Sequence, residues 1–318
     1  MLIAMLLFWG FAAAQSPAPK DDETAVYPEP DAALTLKAGD PHPTVEGWSF
    51  FTANEFQPRS SRDRRPKGFV ERFNRLMSRT ARIDNRRCSE VTGDGVLRMI
   101  TVEEPDSVDN RFGSKVRFSH ACYQSAPLDS REGWCTFTEN MRIEIRYRRT
   151  DTKGFNNALW FMNNSRKPWP AGGEIDLLEN PKKKINQKVH FTLHSEHHYA
   201  GVMGGGGSTT ASIELEDLTR WNIFWIEWYS DRIVGGVNGQ PYFEHRKGAD
   251  GNEDWPWSDP EGFYLIISTG ISDDPSRWPG AVVPEEWDAA NPPSMEVDWV
   301  RVYTNADYSG PKAKTVYY

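Results

Sequence analysis

Cysteine is nearly absent: Cys88, Cys122 and Cys135 are the only three in 318 residues. Three thiols permit at most one intramolecular disulfide and show no metal-cluster spacing, so the chain is not a disulfide-stapled or cysteine-metal scaffold. Positive charge is in deficit as well. With 37 Lys plus Arg against 45 Asp plus Glu, the formal charge is -8, which argues against a protein whose task is to hold nucleic acid. There is no internal repeat, and no apolar run approaches the ~20 residues of a membrane-spanning helix. Aromatic residues, by contrast, are plentiful. Thirteen Trp outnumber 11 Tyr, beside 25 Gly and 22 Pro, a composition suited to a packed core with many turns and unlike a helix bundle.

Residues 1–14 read as an export signal. An apolar stretch over residues 2–13 ends in Ala12, Ala13 and Ala14 before polar Gln15 and Ser16, and cleavage is expected after Ala14. The mature chain is therefore expected outside the cytoplasm, secreted or periplasmic, and without a cysteine near the cleavage point to carry a lipid. Residues 15–44, with Pro17, Pro19, Pro28, Pro30, Pro41 and Pro43, read as a flexible leader. A single domain over residues 45–304 follows, then a tail over 305–318.

Within that domain the period is two. Met141, Ile143, Ile145 and Tyr147 alternate with Arg142, Glu144, Arg146 and Arg148, as in a strand with one buried face. Residues 223–228, 263–268 and 295–303 are similarly rich in β-branched and aromatic side chains, and Val237-Asn238-Gly239-Gln240 is a hairpin turn. Strands at this spacing imply an all-β sandwich or barrel. One stretch differs: Phe69, Phe73, Leu76 and Met77 have helical spacing, inside residues 59–87, where eleven Lys or Arg meet three Asp or Glu. A short helix in an inserted loop is expected there, its basic face either solvated or a rim for an anionic substrate, with solvation the default. Lys182, Lys183 and Lys184 are read as solvated too.

The chemistry is concentrated in residues 169–180, Trp-Pro-Ala-Gly-Gly-Glu-Ile-Asp-Leu-Leu-Glu-Asn. On a regular strand Glu174 and Asp176 share a face, but Glu179, at an odd offset, points the other way. One extra residue bulging out near Leu177 or Leu178 restores the parity, and bulges commonly re-aim side chains beside active sites. Glu174 and Glu179 are then about four regular steps apart, roughly 13 Å between Cα atoms. Two Glu side chains leaning inward can bring their carboxyl groups to the ~5–5.5 Å separation of a retaining glycosidase. Crowding three acids also raises the pKa of whichever must keep a proton. A solvated helix bearing the same acids is opposed by Pro168, Pro170 and the Gly172-Gly173 pair.

These residues resemble glycoside hydrolase family 16, in the β-bulge branch that includes laminarinases, agarases, carrageenases and endo-β-galactosidases. The resemblance extends to Asn54-Glu55-Phe56, Gly95-Val96-Leu97, Ala158-Leu159-Trp160-Phe161, residues 189–194, residues 221–228 with Asn238-Gly239, residues 263–268 and residues 295–303, in that order, covering about 45–304. It implies a jelly-roll β-sandwich of two curved antiparallel sheets with a substrate cleft on the concave face. It further implies Glu174 as nucleophile, Asp176 as its assistant and Glu179 as acid/base in a double displacement. Trp160, Trp169 and His194 resemble cleft positions, and Trp278 is a further substrate-binding candidate. Trp225, Trp228 and Trp299 are expected to be divided between core and surface.

No cofactor is expected for catalysis. His190, His194, His197 and His198 prompt a zinc site, but their spacing does not match HExxH on a helix. Asp298 resembles a position that ligates a structural calcium, aided by main-chain oxygens near Gly93, in members that bind the ion. A monomer is expected, its partner an oligo- or polysaccharide, with no nucleic acid and no membrane span. The insertions at residues 59–87, 194–207 and around Trp255 and Trp257 depart from a plain laminarinase. The His-Ser pair at 194–195 resembles members of the family that cleave β-galactosyl linkages in host-type glycans, and that resemblance implies such linkages here. A laminarinase-type endo-β-1,3-glucanase remains the alternative, as does a non-catalytic carbohydrate-binding module on the same sandwich.

Overall fold

The computed structural model describes residues 36–312 except 38, 72–80, 110–114, 126–132, 153, 181–187, 198–208, 250, 252, 272–287 and 289, and gives the backbone alone for 105–109 and 115–116. The export signal, most of the leader, Trp278, Lys182 to Lys184 and the residues Phe73, Leu76 and Met77 lie outside the described residues. None of the described helices is long and apolar enough to cross a membrane.

In chain order the elements are β1 (Ser49–Asn54), β2 (Val70–Glu71), β3 (Ala81–Ile83), α1 (Asn85–Cys88), β4 (Ser89–Val91), β5 (Leu97–Ile100), β6 (Val102–Asp109), β7 (Lys115–His120), β8 (Cys122–Gln124) and β9 (Met141–Arg149). They continue with β10 (Phe155–Asn163), β11 (Glu174–Glu179), β12 (Lys188–His194), β13 (Thr210–Glu214), β14 (Asn222–Trp228), β15 (Arg232–Val237), β16 (Gln240–Arg246), β17 (Phe263–Ile271) and β18 (Ser294–Thr304). One antiparallel sheet runs β16-β15-β14-β9-β18-β5-β4, with β1 also on β18; a second runs β13-β12-β11-β10-β17-β8-β2; a small third sheet is β3-β7-β6. The chain is thus an all-β jelly roll of two large sheets.

The core lies between those sheets and is built by the alternation already visible in the sequence. Ile143, Ile145 and Tyr147 of β9, Phe224, Ile226 and Trp228 of β14, Leu159 and Phe161 of β10, and Leu265 and Ile267 of β17 are all fully buried in one cluster. Each such side chain contributes about 1.5–3 kcal/mol by leaving water. Asn238 and Gly239 take φ of 49° and 79°, the two positive values a tight primed turn requires between β15 and β16. Close packing sets one glycine: a Cβ on Gly235 would lie 2.4 Å from the Phe191 ring, which stacks on Phe243 at 4.2 Å.

Two findings correct the sequence reading. Arg142, Glu144 and Arg146 alternate with the core residues yet are themselves buried, at 1%, 8% and 4% exposure. They satisfy one another: Arg142 pairs with Glu144 and with Glu227 at 2.6 Å, Arg146 with Asp298, and Arg301 with Glu55 at 2.8 Å. Guanidinium groups lie over the rings of Trp225 at 4.4 Å and Trp299 at 3.9 Å. Hence Trp228 is in the core while Trp225 and Trp299 are buried on the outer face beneath arginines. Second, Phe69 begins no described helix. It is buried against Phe56 at 5.6 Å and Trp134 at 6.0 Å, and the next two residues form β2 against β8. The three cysteines, for which the sequence left at most one disulfide open, are buried thiols that form none.

Candidate active site

The second face of the seven-stranded sheet carries the acids. Against β12, Glu174 is opposite His194, Asp176 opposite Thr192 and Glu179 opposite His190. Three steps along β11, from Asp176 to Glu179, therefore match two along β12, so β11 holds one extra residue. On the other side Trp160 faces Asp176 while Leu159 faces Leu178, which identifies the extra residue as Leu177. The cause is hydrophobic. Leu177 and Leu178 are consecutive, yet both are fully buried in the core between the large sheets. A regular strand would bury one and expose the other; the bulge buries both and returns Glu179 to the face of Glu174 and Asp176.

Behind the strand the backbone is fixed by a close approach. Gly173 has φ +81°, and a Cβ there would meet Pro256 at 3.2 Å and Trp257 at 3.3 Å. Trp257 in turn donates its indole N–H to the carbonyl of Glu174 at 3.2 Å and receives that of Trp228 on its own carbonyl at 3.0 Å. Trp255 and Trp257 are buried, 4.9 Å apart, so this insertion buttresses the acid-bearing strand β11 from behind.

Burial and mutual repulsion shift the acids in one direction. The Glu174 carboxyl is pushed up to about 8, first by burial and then by the neighbouring Asp176 charge, while His194 and the Trp169 N–H oppose the rise. Asp176, 4% exposed, is held well above the usual carboxylate range by burial and by Glu179. Asp176 also hydrogen-bonds Glu174, and its Oδ2 lies 2.9 Å from His194 Nε2. Trp169 donates its indole N–H to Glu174 Oε2 and has its ring 6.1 Å from His194. His194 and the Trp169 N–H favour the anionic form of Glu174, and once Glu174 ionises the more deeply enclosed Asp176 holds the proton between the pair.

A cavity of about 120 Å³ opens onto Trp160, Glu174, Asp176 and Glu179, with Asn156 and Ser268 on its far wall. Trp160 is a wall, 8% exposed and anchored by its N–H to Ser268 Oγ at 3.1 Å. Trp169 is 48% exposed, a half-exposed ring of the kind that sugar C–H surfaces cover. Asn156, Ser268, Thr269 and Gly270 were missed in the sequence. Their signal was available, since Ser268 and Gly270 alternate with core-facing Ile267 on β17.

Metal binding is a poor fit. His190 and His194 share the cleft face but stand four residues apart, about 13 Å along the strand, so they cannot ligate one zinc. Glu174, Asp176 and His194 bring ligand atoms within 4.8 Å of one another, a spacing that their mutual hydrogen bonds account for. For calcium, which takes six to eight oxygens, Asp298 offers one carboxylate already engaged by Arg146. The cavity beside Gly93 is lined by Lys37 and Arg64 as well as Glu55 and Asp94, and Glu55 is held by Arg301. These residues do not fit a resident calcium.

Comparison with known proteins adds an independent line. The model of the family "Glycosyl hydrolases family 16" matches residues 99–301. A keratan-sulfate endo-1,4-beta-galactosidase of Sphingobacterium multivorum is 31% identical over 166 residues, 51% of this chain and 36% of that protein. The chain thus spans about a third of that relative's length. The laminarinase catalytic domain of Thermotoga maritima superposes with a TM-score of 0.66 at 21% identity, covering 82% of this chain and 100% of that one. A structure from work on endo-acting O-glycanases of the human gut microbiota that initiate mucin breakdown gives 0.66 at 18% identity, over 84% and 95%.

Proposed function

From a chain that belongs to glycosyl hydrolase family 16, we propose an exported, monomeric, retaining endo-β-glycosidase that cleaves internal β-galactosyl linkages of a polysaccharide or host-type glycan. The observation that carries this reading is the Leu177 bulge, which turns three carboxyl groups onto one face. In the first step the Glu174 carboxylate attacks the anomeric carbon while Glu179 gives its proton to the departing glycosidic oxygen, leaving a glycosyl ester on Glu174. In the second, Glu179 takes a proton from water, which attacks the same carbon and frees Glu174. Asp176 keeps its proton directed at Glu174 and steadies the carboxylate between steps, and its other oxygen is oriented by His194. Trp169 offers the ring face for a sugar beside the cleaved bond.

One feature favours catalysis over mere binding. Crowded, desolvated acids are costly to fold, and a lectin has no use for them. The preference for galactosyl over glucosyl linkages draws on the likeness to the keratan-sulfate endo-1,4-beta-galactosidase. The test is incubation with keratan sulfate, mucin, agarose, carrageenan, laminarin and lichenan, following new reducing ends, with Glu174→Gln as control. New ends from keratan sulfate or mucin that vanish in the variant support the proposal. New ends from laminarin alone would establish a glucanase, and binding without new ends a lectin.

A further inference from the structure

Beside the β4 edge of the eight-stranded sheet lies a groove of about 780 Å³ lined by Arg62, Arg64, Arg65, Arg86, Arg87 and Arg98. Only two carboxylates, Asp63 and Glu90, share that lining, in a chain whose formal charge is -8. The arginines come from three separate segments: the loop before β2, the α1 turn, and β5. Some are committed internally. Arg65 is paired with Asp63 and Glu71, Arg87 with Glu104 at 2.9 Å, and Arg64 donates to the Val91 carbonyl at 2.7 Å.

The others are in surplus. Arg62 and Arg86 are exposed and, among the described residues, form no ion pair. Arg98 has its Nε–H enclosed without an acceptor; the nearest carboxylate, Glu296, is 3.8 Å away and is held by Arg148 at 2.5 Å. An enclosed donor with nothing to give to is the feature an incoming anion would satisfy. This enclosed Arg98 donor, together with the exposed Arg62 and Arg86, in a trough also lined by Ile100 and Pro292, matches a chain that carries anions on an otherwise apolar-faced ring, since the planar fork of arginine takes sulfate and carboxylate alike.

We propose that this groove is an accessory site for a sulfated or carboxylated polysaccharide, separate from the catalytic cleft. The strand order keeps the two apart. Three strands, β10, β17 and β8, intervene between β11 and the β2 edge of its sheet, and the groove lies on the edge of the opposite sheet. A volume of this order exceeds that of a lone inorganic anion and falls in the usual range of ligand sites. The groove lining includes no aromatic ring on which a base could stack, which favours a glycan over a nucleic acid.

The test uses the whole chain and three probes at 0.15 M salt: dextran sulfate for sulfate alone, polygalacturonate for carboxylate alone, and uncharged dextran as blank. Titration calorimetry is run on the wild type, on the double variant Arg62→Ser/Arg86→Ser, and on Lys247→Ser, which removes a similar charge elsewhere. Among the described residues neither arginine has an ion-pair partner to lose, so the double variant is expected to melt as the wild type does. The expected result is binding to one or both polyanions and not to dextran. The double variant should weaken it about tenfold, as for loss of one or two charge-assisted contacts, and Lys247→Ser by less than twofold. The proposal is overturned if the wild type binds neither polyanion, if the double variant binds equally well, or if Lys247→Ser loses as much. Duplex DNA bound more tightly than either polysaccharide would overturn it as well.

Discussion

Replacing Glu174 by Gln should make the protein more stable while making it inactive, and the gain should depend on pH in a defined way. The Glu174 carboxyl moves from an ordinary 4.5 in the unfolded chain to about 8 in the folded one. Between those values the folded state holds a proton that the unfolded state has released, so stability falls as pH rises, by ~1.4 kcal/mol per unit. At pH 7 the accumulated cost is up to about 3 kcal/mol, and below pH 4 it is absent. Gln keeps an oxygen for the Trp169 N–H and carries no charge to desolvate. Urea unfolding at pH 4, 5.5 and 7, on wild type and Glu174→Gln in parallel, should show the two equal at the lowest pH and the variant ahead by up to about 3 kcal/mol at the highest. For a domain of this size that is roughly 6–10 °C in Tm. Equal stability at every pH, or a variant less stable at pH 7, would refute the claim that this carboxyl is forced into a desolvated, repulsive site.

Three more outcomes follow from the same geometry. Gly173→Ala places a side chain at φ +81° against Pro256 and Trp257 and should cost about 1–3 kcal/mol in urea unfolding while lowering kcat through displacement of Glu174; a silent substitution would show that the close approach is not needed. Trp169→Phe removes a donor that favours ionised Glu174, so the acid limb of kcat/KM should move to higher pH, by about one unit, with little change in stability because Trp169 is half exposed; an unmoved limb would contradict the assignment. Deleting Leu177 removes the bulge and leaves an even spacing between Glu174 and the last acid. That chain should lose about 2–4 kcal/mol of burial yet retain more activity than Glu179→Ala, and a deletion no better than Glu179→Ala would argue against parity as the reason for the bulge.

Much of this was legible in the chain because alternation and turn chemistry are local. The β9 pattern, the Asn238-Gly239 turn and the need for an extra residue in β11 follow from period two and from backbone sterics. The sequence left the bulge at Leu177 or Leu178, and pairing with β10 decided for Leu177. What could not be read depended on partners distant in sequence. Arg142 and Arg146 looked solvated because Glu227 and Asp298, which neutralise them, lie 85 and 152 residues away. The insertion around Trp255 and Trp257 could be located in the sequence, but not its packing behind β11 against Gly173 and Trp228. Phe69 fitted a helical period by chance, its burial being set by Phe56 and Trp134. Asp298 resembled a calcium ligand, but no spacing rule discloses that a buried arginine already occupies it.

The proposed mechanism has two carboxylates acting in turn on one sugar carbon. Proton NMR of the earliest product, recorded before the free anomers equilibrate, tests that most directly: a double displacement releases the β-anomer first and the α-anomer only afterwards. An α-anomer formed first would mean that water attacks in a single step, and Glu174 could not be the nucleophile.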